Sequence, residues 1–164
     1  MVVGETFAVD VENALTKHAD MVYKIALSQT RSKFDADDVF QEVFMRLVKS
    51  KNKIKSEEHL KAWLIRVTLN CSKNHFRMWS GDVSLVGDVP DMTQQEHDIL
   101  LYVMELPEKY RTVIHLFYYE ELSIKEMSGA LKIKESTIKS QLSRGREMLR
   151  ERMGGGHNQY DGAL

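Results

Sequence analysis

Side chains that can bind nucleic acid recur along one predicted helix between Lys132 and Arg152. Seven lysine and arginine residues stand there against three glutamates, which leaves a local charge of +4 in a chain whose net charge is −1. Cationic side chains neutralise phosphates or bind guanine O6 and N7, and hydroxyl groups bond base edges or phosphates. The pattern therefore indicates DNA binding. The polar side of the helix carries Ser136, Lys139, Ser140, Ser143, Arg144 and Glu147.

Apolar spacing predicts the helix that must position these side chains. Between about Glu135 and Glu151, apolar or small residues recur at intervals of four, three and four, which places them on one buried edge. A glycine inside a helix costs about 1 kcal/mol against alanine, and a close helix crossing is the expected reason for it. The buried edge consists of Ile138, Leu142, Gly145 and Leu149.

Two shorter helices are predicted just before this one. The first begins at Pro107, whose missing N–H suits a first helical position. The second opens at Ser123, which forms a capping box with Glu126. A short helix, a turn and a second helix with a cationic outer side make a helix-turn-helix pattern, whose second helix enters the DNA major groove. The alternative is a solvated basic face on a helical bundle.

Composition predicts an all-α chain with no catalytic or metal site. The 164 residues include only two prolines, and helical periods recur where alternating strand patterns are absent. Cys71 is the single cysteine, so it is interpreted as a bystander thiol. The six histidines lack paired ligand spacing, so we expect no metal ion and no cofactor. Because the first residues have no basic segment and no apolar run reaches about 20 residues, a cytoplasmic protein without membrane insertion is expected.

The first half of the chain predicts three further helices. Leu15, Ala19, Val22 and Ile25 share one side of a helix over residues 11–28. A second helix begins near residue 35 with three aspartates in its first turn, which suits the positive end of the helix dipole. A third helix covers residues 57–79, after a lysine-rich loop at 49–55. The residues predicted on the solvent-exposed side of the second helix are Asp38, Gln41, Glu42, Met45 and Arg46.

The third helix mixes cations, amides and aromatic rings. From His59 to Arg77 there are four lysine and arginine residues and no acids. Such a mixture suits single-stranded nucleic acid, because cations follow the phosphates, rings stack on bases and amides bond base edges. A solvated helix face explains the same composition.

Turn-forming and acidic residues between the two halves predict a flexible linker at 80–91. It separates a domain at 8–79 from a domain at 92–153, which opens with a capping box of Thr93 and Glu96. Residues 154–164 are expected to form a disordered tail.

Three stretches in this order resemble the small two-domain bacterial sigma factors of the extracytoplasmic-function group. They are D-A-D-D-V-F-Q-E-V-F-M-R-L at 35–47, H-L-K-A-W-L-I-R-V-T-L-N-C-S-K-N-H-F-R at 59–77, and the block from L-P-E-K-Y-R to S-R-G-R-E-M-L at 106–149. The resemblance implies a region 2 bundle, a region 4 helix-turn-helix domain and promoter-specific initiation of transcription with core RNA polymerase.

The resemblance also implies roles for individual residues. The positions similar to those that dock on the polymerase β′ clamp helices are Asp38, Gln41, Glu42 and Arg46. The positions similar to those that bind the −10 element, including the loop that holds a flipped-out base, are Lys51, Lys53, Asn70, Lys73, Asn74 and Arg77. The positions similar to those that read the −35 duplex are Glu135, Ser136, Thr137, Lys139, Ser140 and Arg144. Region 4 would also dock on the β flap.

Four residues depart from the family pattern, one of them Gly145 inside the last predicted helix. Lys132 and Glu121 stand where glycine is common, and a left-handed backbone at Lys132 would cost about 1 kcal/mol relative to glycine. Lys134 replaces a serine-like helix cap.

Two other classes of protein compete with the sigma factor interpretation. A free-standing helix-turn-helix regulator would bind duplex DNA without polymerase, and a recombinase or nuclease would need a catalytic cluster. Asp35, Asp37 and Asp38 are too local for a two-metal site, so no enzymatic activity is expected. The resemblance further implies an anti-sigma partner in a stress or envelope response, which could hold the chain at the membrane. The active form would lie on the nucleoid.

Overall fold

The computed structural model describes residues 6–75 and 93–154, apart from the side chain of His97. These residues form seven α-helices and one short 3₁₀ helix, with no strand in either range, so the all-α prediction is confirmed. The first range belongs to one compact unit and the second range to another. The predicted linker at 80–91, the residues of the predicted tail after Gly154, and Arg77 lie outside the described residues.

Unit 1 is a bundle of three helices, α1 (Val11–Thr30), α2 (Lys33–Ser50) and α3 (Glu57–Lys73). A side chain caps the start of each helix, because the oxygens of Asp10, Ser32 and Ser56 accept backbone N–H groups of the first turn. The lysine-rich loop forms a 3₁₀ helix at Lys51–Lys53. The side chain of Ile54 is 2% exposed and anchors this loop in the core.

The core of unit 1 comes from one side of each helix. Val39, Val43 and Leu47 of α2 are fully buried, as the spacing predicted. Each such side chain stabilises the fold by about 1.5–3 kcal/mol. The predicted inner side of α1 was partly wrong, because Leu15 is 39% exposed and Ala14 is buried instead. The inner side also takes a polar residue, His18, whose Nε2 atom lies 2.9 Å from Glu57 Oε1 of α3.

The third predicted helix ends earlier than its amphipathic pattern suggested. The helix was predicted to reach residue 79, but α3 ends at Lys73 and Asn74 and His75 form a turn. The N–H groups of Asn74 and His75 donate to the carbonyls of Cys71 and Ser72, three residues back. This tighter bonding terminates the α-helix.

Unit 2 contains α4 (Gln94–Met104), α5 (Glu108–Tyr118), α6 (Ile124–Leu131) and α7 (Glu135–Arg152). Both predicted capping boxes are present, at Thr93 and at Ser123. Pro107 is the cap of α5 rather than its first residue, with ψ at 147°. Arg111 is 1% exposed and donates from Nη1 to the carbonyl of Leu106 at 2.8 Å, which ties the start of α5 to the preceding turn.

Two predictions about backbone geometry in unit 2 are confirmed. A Cβ atom on Gly145 would stand 2.9 Å from Cγ1 of Ile114, so the close crossing of α5 and α7 requires glycine there. Lys132 has φ at 57° in the turn between α6 and α7, and Glu121 also has a left-handed backbone with φ at 54°. These two side chains occupy positions where glycine would be free of strain.

Among the helices within 6–75 and 93–154, none combines the length and the apolar character that a bilayer crossing requires.

Candidate nucleic-acid and partner interfaces

The outer face of α7 presents every residue that was matched to −35 recognition. The buried edge of α7 consists of Ile138, Leu142, Gly145 and Leu149, as the spacing predicted. The six matched side chains are exposed, and a major groove is wide enough to admit the helix that carries them. These exposed residues are Glu135, Ser136, Thr137, Lys139, Ser140 and Arg144.

The first turn of α5 extends this face into a groove. Lys109 and Tyr110 of α5 line a space of about 490 Å³ together with residues of α7. Lys109 supplies a cation and Tyr110 a ring and a hydroxyl group, which suits a phosphate or a sugar. Sequence reasoning missed both residues, because only the crossing at Gly145 brings α5 beside the start of α7. The α7 residues in the groove are Ser136, Thr137, Ser140, Gln141 and Arg144.

Arg144, a cation of this face, is held in an ion pair on α7 itself. Arg144 Nη1 donates to Glu147 Oε2 at 2.8 Å, one helical turn further on. This hydrogen bond raises the pKa of the Arg144 guanidinium above its ordinary value. A DNA phosphate or guanine must therefore compete with a glutamate for Arg144.

Two hydrogen bonds to Ser128 of α6 hold the turn between α6 and α7. The N–H of Lys132 donates to the carbonyl of Ser128 at 2.9 Å, and Ser128 Oγ donates to the carbonyl of Ile133 at 2.7 Å. Lys134 supplies no side-chain bond to the first turn of α7, in agreement with the loss of a serine-like cap. The first-turn N–H groups of α7 are thus left without a capping side chain.

In unit 1, the residues matched to −10 binding fall into two groups. Asn70, Lys73 and Asn74 are exposed and share one side at the end of α3. Lys51 and Lys53 are exposed before its start. A helix of this length separates the groups by roughly 25 Å, at about 1.5 Å per residue. The two groups could therefore contact different nucleotides of one strand but not the same nucleotide.

The outer face of α2 exposes large apolar side chains in a regular pattern. Phe34 is 70% exposed, Met45 is 63% exposed and Val48 is 53% exposed. Two of the residues matched to polymerase docking, Asp38 and Gln41, lie between them on the same line. The intervals of four, three, four and three residues are those of a coiled-coil seam. We call this set the outer stripe of α2. Sequence reasoning had identified Met45 as a surface residue but had missed the exposure of Phe34 and Val48.

The other two residues that were matched to polymerase docking flank the outer stripe. Glu42 and Arg46 form an ion pair one turn apart on α2. Cys71 of α3 lies buried close to this pair, and burial, together with the charge of Glu42, raises the pKa of its thiol to about 11. At neutral pH the thiol is protonated and a poor nucleophile, which agrees with the interpretation of a bystander cysteine.

Three possible metal ligands lie together at one end of unit 1. Asp35, Asp38 and His75 each place one ligand atom within 4.8 Å of the others. Asp35 is 1% exposed, and its Oδ1 atom is 3.6 Å from His75 Nδ1. No metal site was expected from the sequence because the six histidines lack paired ligand spacing. His75 is also far along the chain from the two aspartates.

Two family models match the chain, one in each unit. The model for sigma-70 region 2 matches residues 14–79, and the model for sigma-70 region 4 matches residues 96–149. The first match includes α2, the lysine-rich loop and α3, and the second includes α7 as far as Leu149 with the turn before it. The faces described above therefore lie within the matched ranges.

Curated relatives belong to the same family, and solved structures share the fold. The chain is 33% identical to the ECF RNA polymerase sigma factor SigM of Bacillus subtilis over 143 residues, which are 79% of this chain and 86% of the relative. It is 26% identical to SigW of the same organism, covering 83% of this chain and 84% of that one. The fold is similar, with a TM-score of 0.73 and 18% identity over 89% of this chain and 98% of the other, to a sigma factor RpoE from Bartonella quintana, solved with the anti-sigma factor NepR. CnrH, solved with the cytosolic domain of CnrY, gives a TM-score of 0.72 at 19% identity and covers 90% of this chain and 89% of its own.

Proposed function

Because the chain belongs to the extracytoplasmic-function RNA polymerase sigma factors, alternative sigma factors that direct transcription initiation, we propose that its exposed faces divide this work between them. The outer stripe of α2 binds core polymerase, the end of α3 and the lysine loop bind the −10 element, and α7 binds the −35 element. The observation that carries the proposal is the outer stripe of α2, because large apolar side chains left exposed along one side of a helix mark a surface for a protein partner.

Docking on polymerase uses a helix packed against helices. Phe34, Met45 and Val48 supply the apolar contacts, and Asp38 and Gln41 set the register between them. Glu42 and Arg46 flank the seam, where charged side chains select partner and orientation. These features fit the paired clamp helices of the β′ subunit as the partner.

Binding of the −10 element supplies the free energy of strand opening. Asn70, Lys73 and Asn74 offer amides and a cation to an unpaired strand, and Lys51 and Lys53 attract its phosphates at the other end of α3. Arg77, which lies outside the described residues, is proposed to bind the same element. Capture of a base as it leaves the stack lowers the cost of melting, which is a few kcal/mol per base. The protein contributes binding rather than covalent chemistry, so it is not an enzyme.

Binding of the −35 duplex uses both walls of the groove. Thr137 and Arg144, on the groove side of α7, face base edges, while Lys109 and Tyr110 hold the sugar-phosphate backbone beside them. Lys139 lies on the other flank of α7 and contacts the duplex from there. The polymerase β flap would hold unit 2 from another side. The phosphate contacts fix orientation and the base contacts determine sequence preference.

A free-standing regulator fits these observations less well. It would bind duplex DNA through α7 alone and would leave the outer stripe of α2 and the exposed amides of α3 without a role. The exposed apolar stripe would instead have to mediate self-association. Polymerase binding and self-association are therefore the outcomes that separate the two functions.

An anti-sigma partner is part of the proposed function. Both solved neighbours are described in complexes, one of them with an anti-sigma factor. A partner that covers the outer stripe of α2 would exclude polymerase by occupying the same apolar surface. The protein would act in the cytoplasm on the nucleoid, and a membrane-bound partner would hold it at the envelope until a stress releases it.

The test combines polymerase binding with transcription. Purified full chain is incubated with core RNA polymerase, recovered on the polymerase, and used in run-off transcription from a promoter library. We expect stable binding and promoter-specific transcripts, and loss of both in the double variant Gln41→Ala with Glu42→Ala. The matched control, Glu58→Ala, changes an exposed residue of α3 and should retain both. Duplex binding by the full chain without polymerase binding would establish the free regulator instead.

A further inference from the structure

We propose that Asp35, Asp38 and His75 form a binding site for one divalent transition-metal ion of the Zn²⁺ class. The two aspartates lie in the first turns of α2, and the histidine lies in the turn that follows α3. Their ligand atoms lie within 4.8 Å of one another. The fold thus joins two carboxylates and an imidazole that are far apart in the sequence.

The distance between two of these atoms favours a shared ion over a direct bond. His75 Nδ1 and Asp35 Oδ1 are 3.6 Å apart, which is too long for a hydrogen bond. Two ligands of a tetrahedral ion with bonds of about 2.1 Å lie about 3.4 Å apart. These two atoms already have nearly the spacing that an ion between them requires.

The third ligand can complete the site with a small movement. Asp38 is exposed at the surface, so its carboxylate can rotate towards the other two without disturbing the core. Asp35 is almost fully buried and His75 is partly buried, which fixes the inner half of the site.

The ligand types select the kind of ion. One imidazole nitrogen and two carboxylate oxygens suit zinc and similar transition ions, whereas calcium and magnesium prefer sites made only of oxygen. Three protein ligands leave a fourth position for water, so the site would be open and its ion exchangeable. Such a site replaces the expectation, drawn from histidine spacing, that the chain has no metal site.

An ion at this position would touch both proposed interfaces of unit 1. Asp38 belongs to the outer stripe of α2, and His75 directly follows Asn74 of the −10 group. Metal binding would draw the carboxylate of Asp38 away from the outer stripe of α2. It would also fix the turn at His75, beside Asn74. The binding itself depends on the geometry alone and stands whether or not the proposed function is correct.

The experiment measures metal binding by the full chain without an affinity tag. Isothermal titration with Zn²⁺ should show one equivalent bound, and Co²⁺ should give the visible absorption of a low-coordinate ion. His75→Gln and Asp38→Asn should each weaken binding about tenfold or more, because each removes one of only three protein ligands. Asp37→Asn is the matched control, since it removes an exposed carboxylate between the two proposed ligands and should leave affinity unchanged.

Folding is checked by circular dichroism, and the imidazole is followed directly. In ¹⁵N spectra of the wild-type chain, Zn²⁺ should shift the Nδ1 signal of His75, so the test holds even if a variant fails to fold. The proposal is wrong if the wild-type chain binds no ion, if His75→Gln retains full affinity, or if the His75 signal does not move. A loss of stability in His75→Gln without any metal binding would indicate an ion pair with Asp35 only.

Discussion

The helices α2 and α7 have the same length of 18 residues but present opposite chemistry to the outside. The inner side of each is closed by fully buried aliphatic residues, such as Val43 in α2 and Ile138 in α7. Outside, α2 exposes an aromatic ring, a thioether and a branched aliphatic side chain, whereas the first half of α7 exposes hydroxyl groups and cations.

The difference between the two faces fits the partners proposed for them, a protein for α2 and DNA for α7. A protein partner can remove water from apolar side chains, which stabilises the complex in proportion to the buried area. DNA offers phosphates and base edges and retains much water, so hydroxyl and cationic side chains suit it. The exposed face of a helix therefore indicates its partner, whereas the buried face indicates only that the helix is packed.

The largest effect is expected from a charge on the apolar stripe. Met45→Lys should weaken binding to core polymerase about 30-fold or more, because a central apolar contact would be replaced by a desolvated ammonium group. Binding of duplex DNA should not fall. Leu15→Lys, also at an exposed apolar residue but on α1, is the control and should keep polymerase affinity. Competition binding on labelled polymerase measures the affinity of each variant. Equal losses of affinity in the two variants would mean that the outer stripe of α2 is no more important for polymerase binding than other exposed apolar residues.

A smaller effect is expected on α7. Arg144→Ala should weaken binding of −35 duplex about tenfold and leave polymerase binding unchanged. Glu147→Gln should act in the opposite direction, because it frees Arg144 from its ion pair and removes a negative charge. Fluorescence anisotropy at several salt concentrations measures both. Arg150→Ala, on the last turn of α7, serves as the control; a loss as large as that of Arg144 would mean that only net charge matters.

A substitution at the buried edge of α7 should change the stability of the fold and not the binding of DNA or polymerase. Gly145→Ala should lower the free energy of unfolding by about 1 kcal/mol, because overpacking against the buried Ile114 exceeds the gain in helix propensity. Gly129→Ala in α6 is the matched case, since nothing lies within 4 Å of its new methyl group, and it should be stabilising. Urea unfolding at constant m-value checks the pair. Stabilisation by both substitutions would mean that α5 and α7 do not cross closely.

The smallest effect concerns the pH dependence of unit 1. Hydrogen bonds from Lys17, and then from His18, hold the pKa of Glu57 below its ordinary value of 4.5. A depressed folded pKa gives stability that is present above pH 4.5 and is lost as the pH falls through the folded pKa. The melting temperature of the wild type should therefore exceed that of Glu57→Gln at pH 6, and the difference should shrink below pH 4.5. Lys17→Met should show the same trend; a difference independent of pH would exclude this linkage.

Unit 2 could be predicted closely because its signals are local. Capping boxes at Thr93 and Ser123 define helix starts within three residues of chain. The crossing at Gly145 followed from a glycine inside a helix, and the strain at Lys132 followed from the glycine that is common there in the family it resembles. The groove with Lys109 could not be predicted, because it depends on how α5 crosses α7.

Unit 1 was less predictable because several of its features depend on neighbours in space. Leu15 has the same helical period as its buried neighbours, and only packing decides which edge of α1 is covered. The pairing of Asp35 with His75 joins two helix ends, and no spacing rule connects them. Family resemblance indicated the charged and amide residues of α2 and α3, whereas the exposure of Phe34 became evident only from the fold.

Left-handed backbone at non-glycine residues has a consequence for the lifetime of the protein. Arg31, Glu121 and Lys132 have positive φ among the described residues, and each costs about 1 kcal/mol relative to glycine. Partners that bind only the folded chain offset such a cost through mass action. A molecule without a partner unfolds more often and is open to proteolysis, so degradation would remove unbound chains first and limit how long a transcriptional response persists.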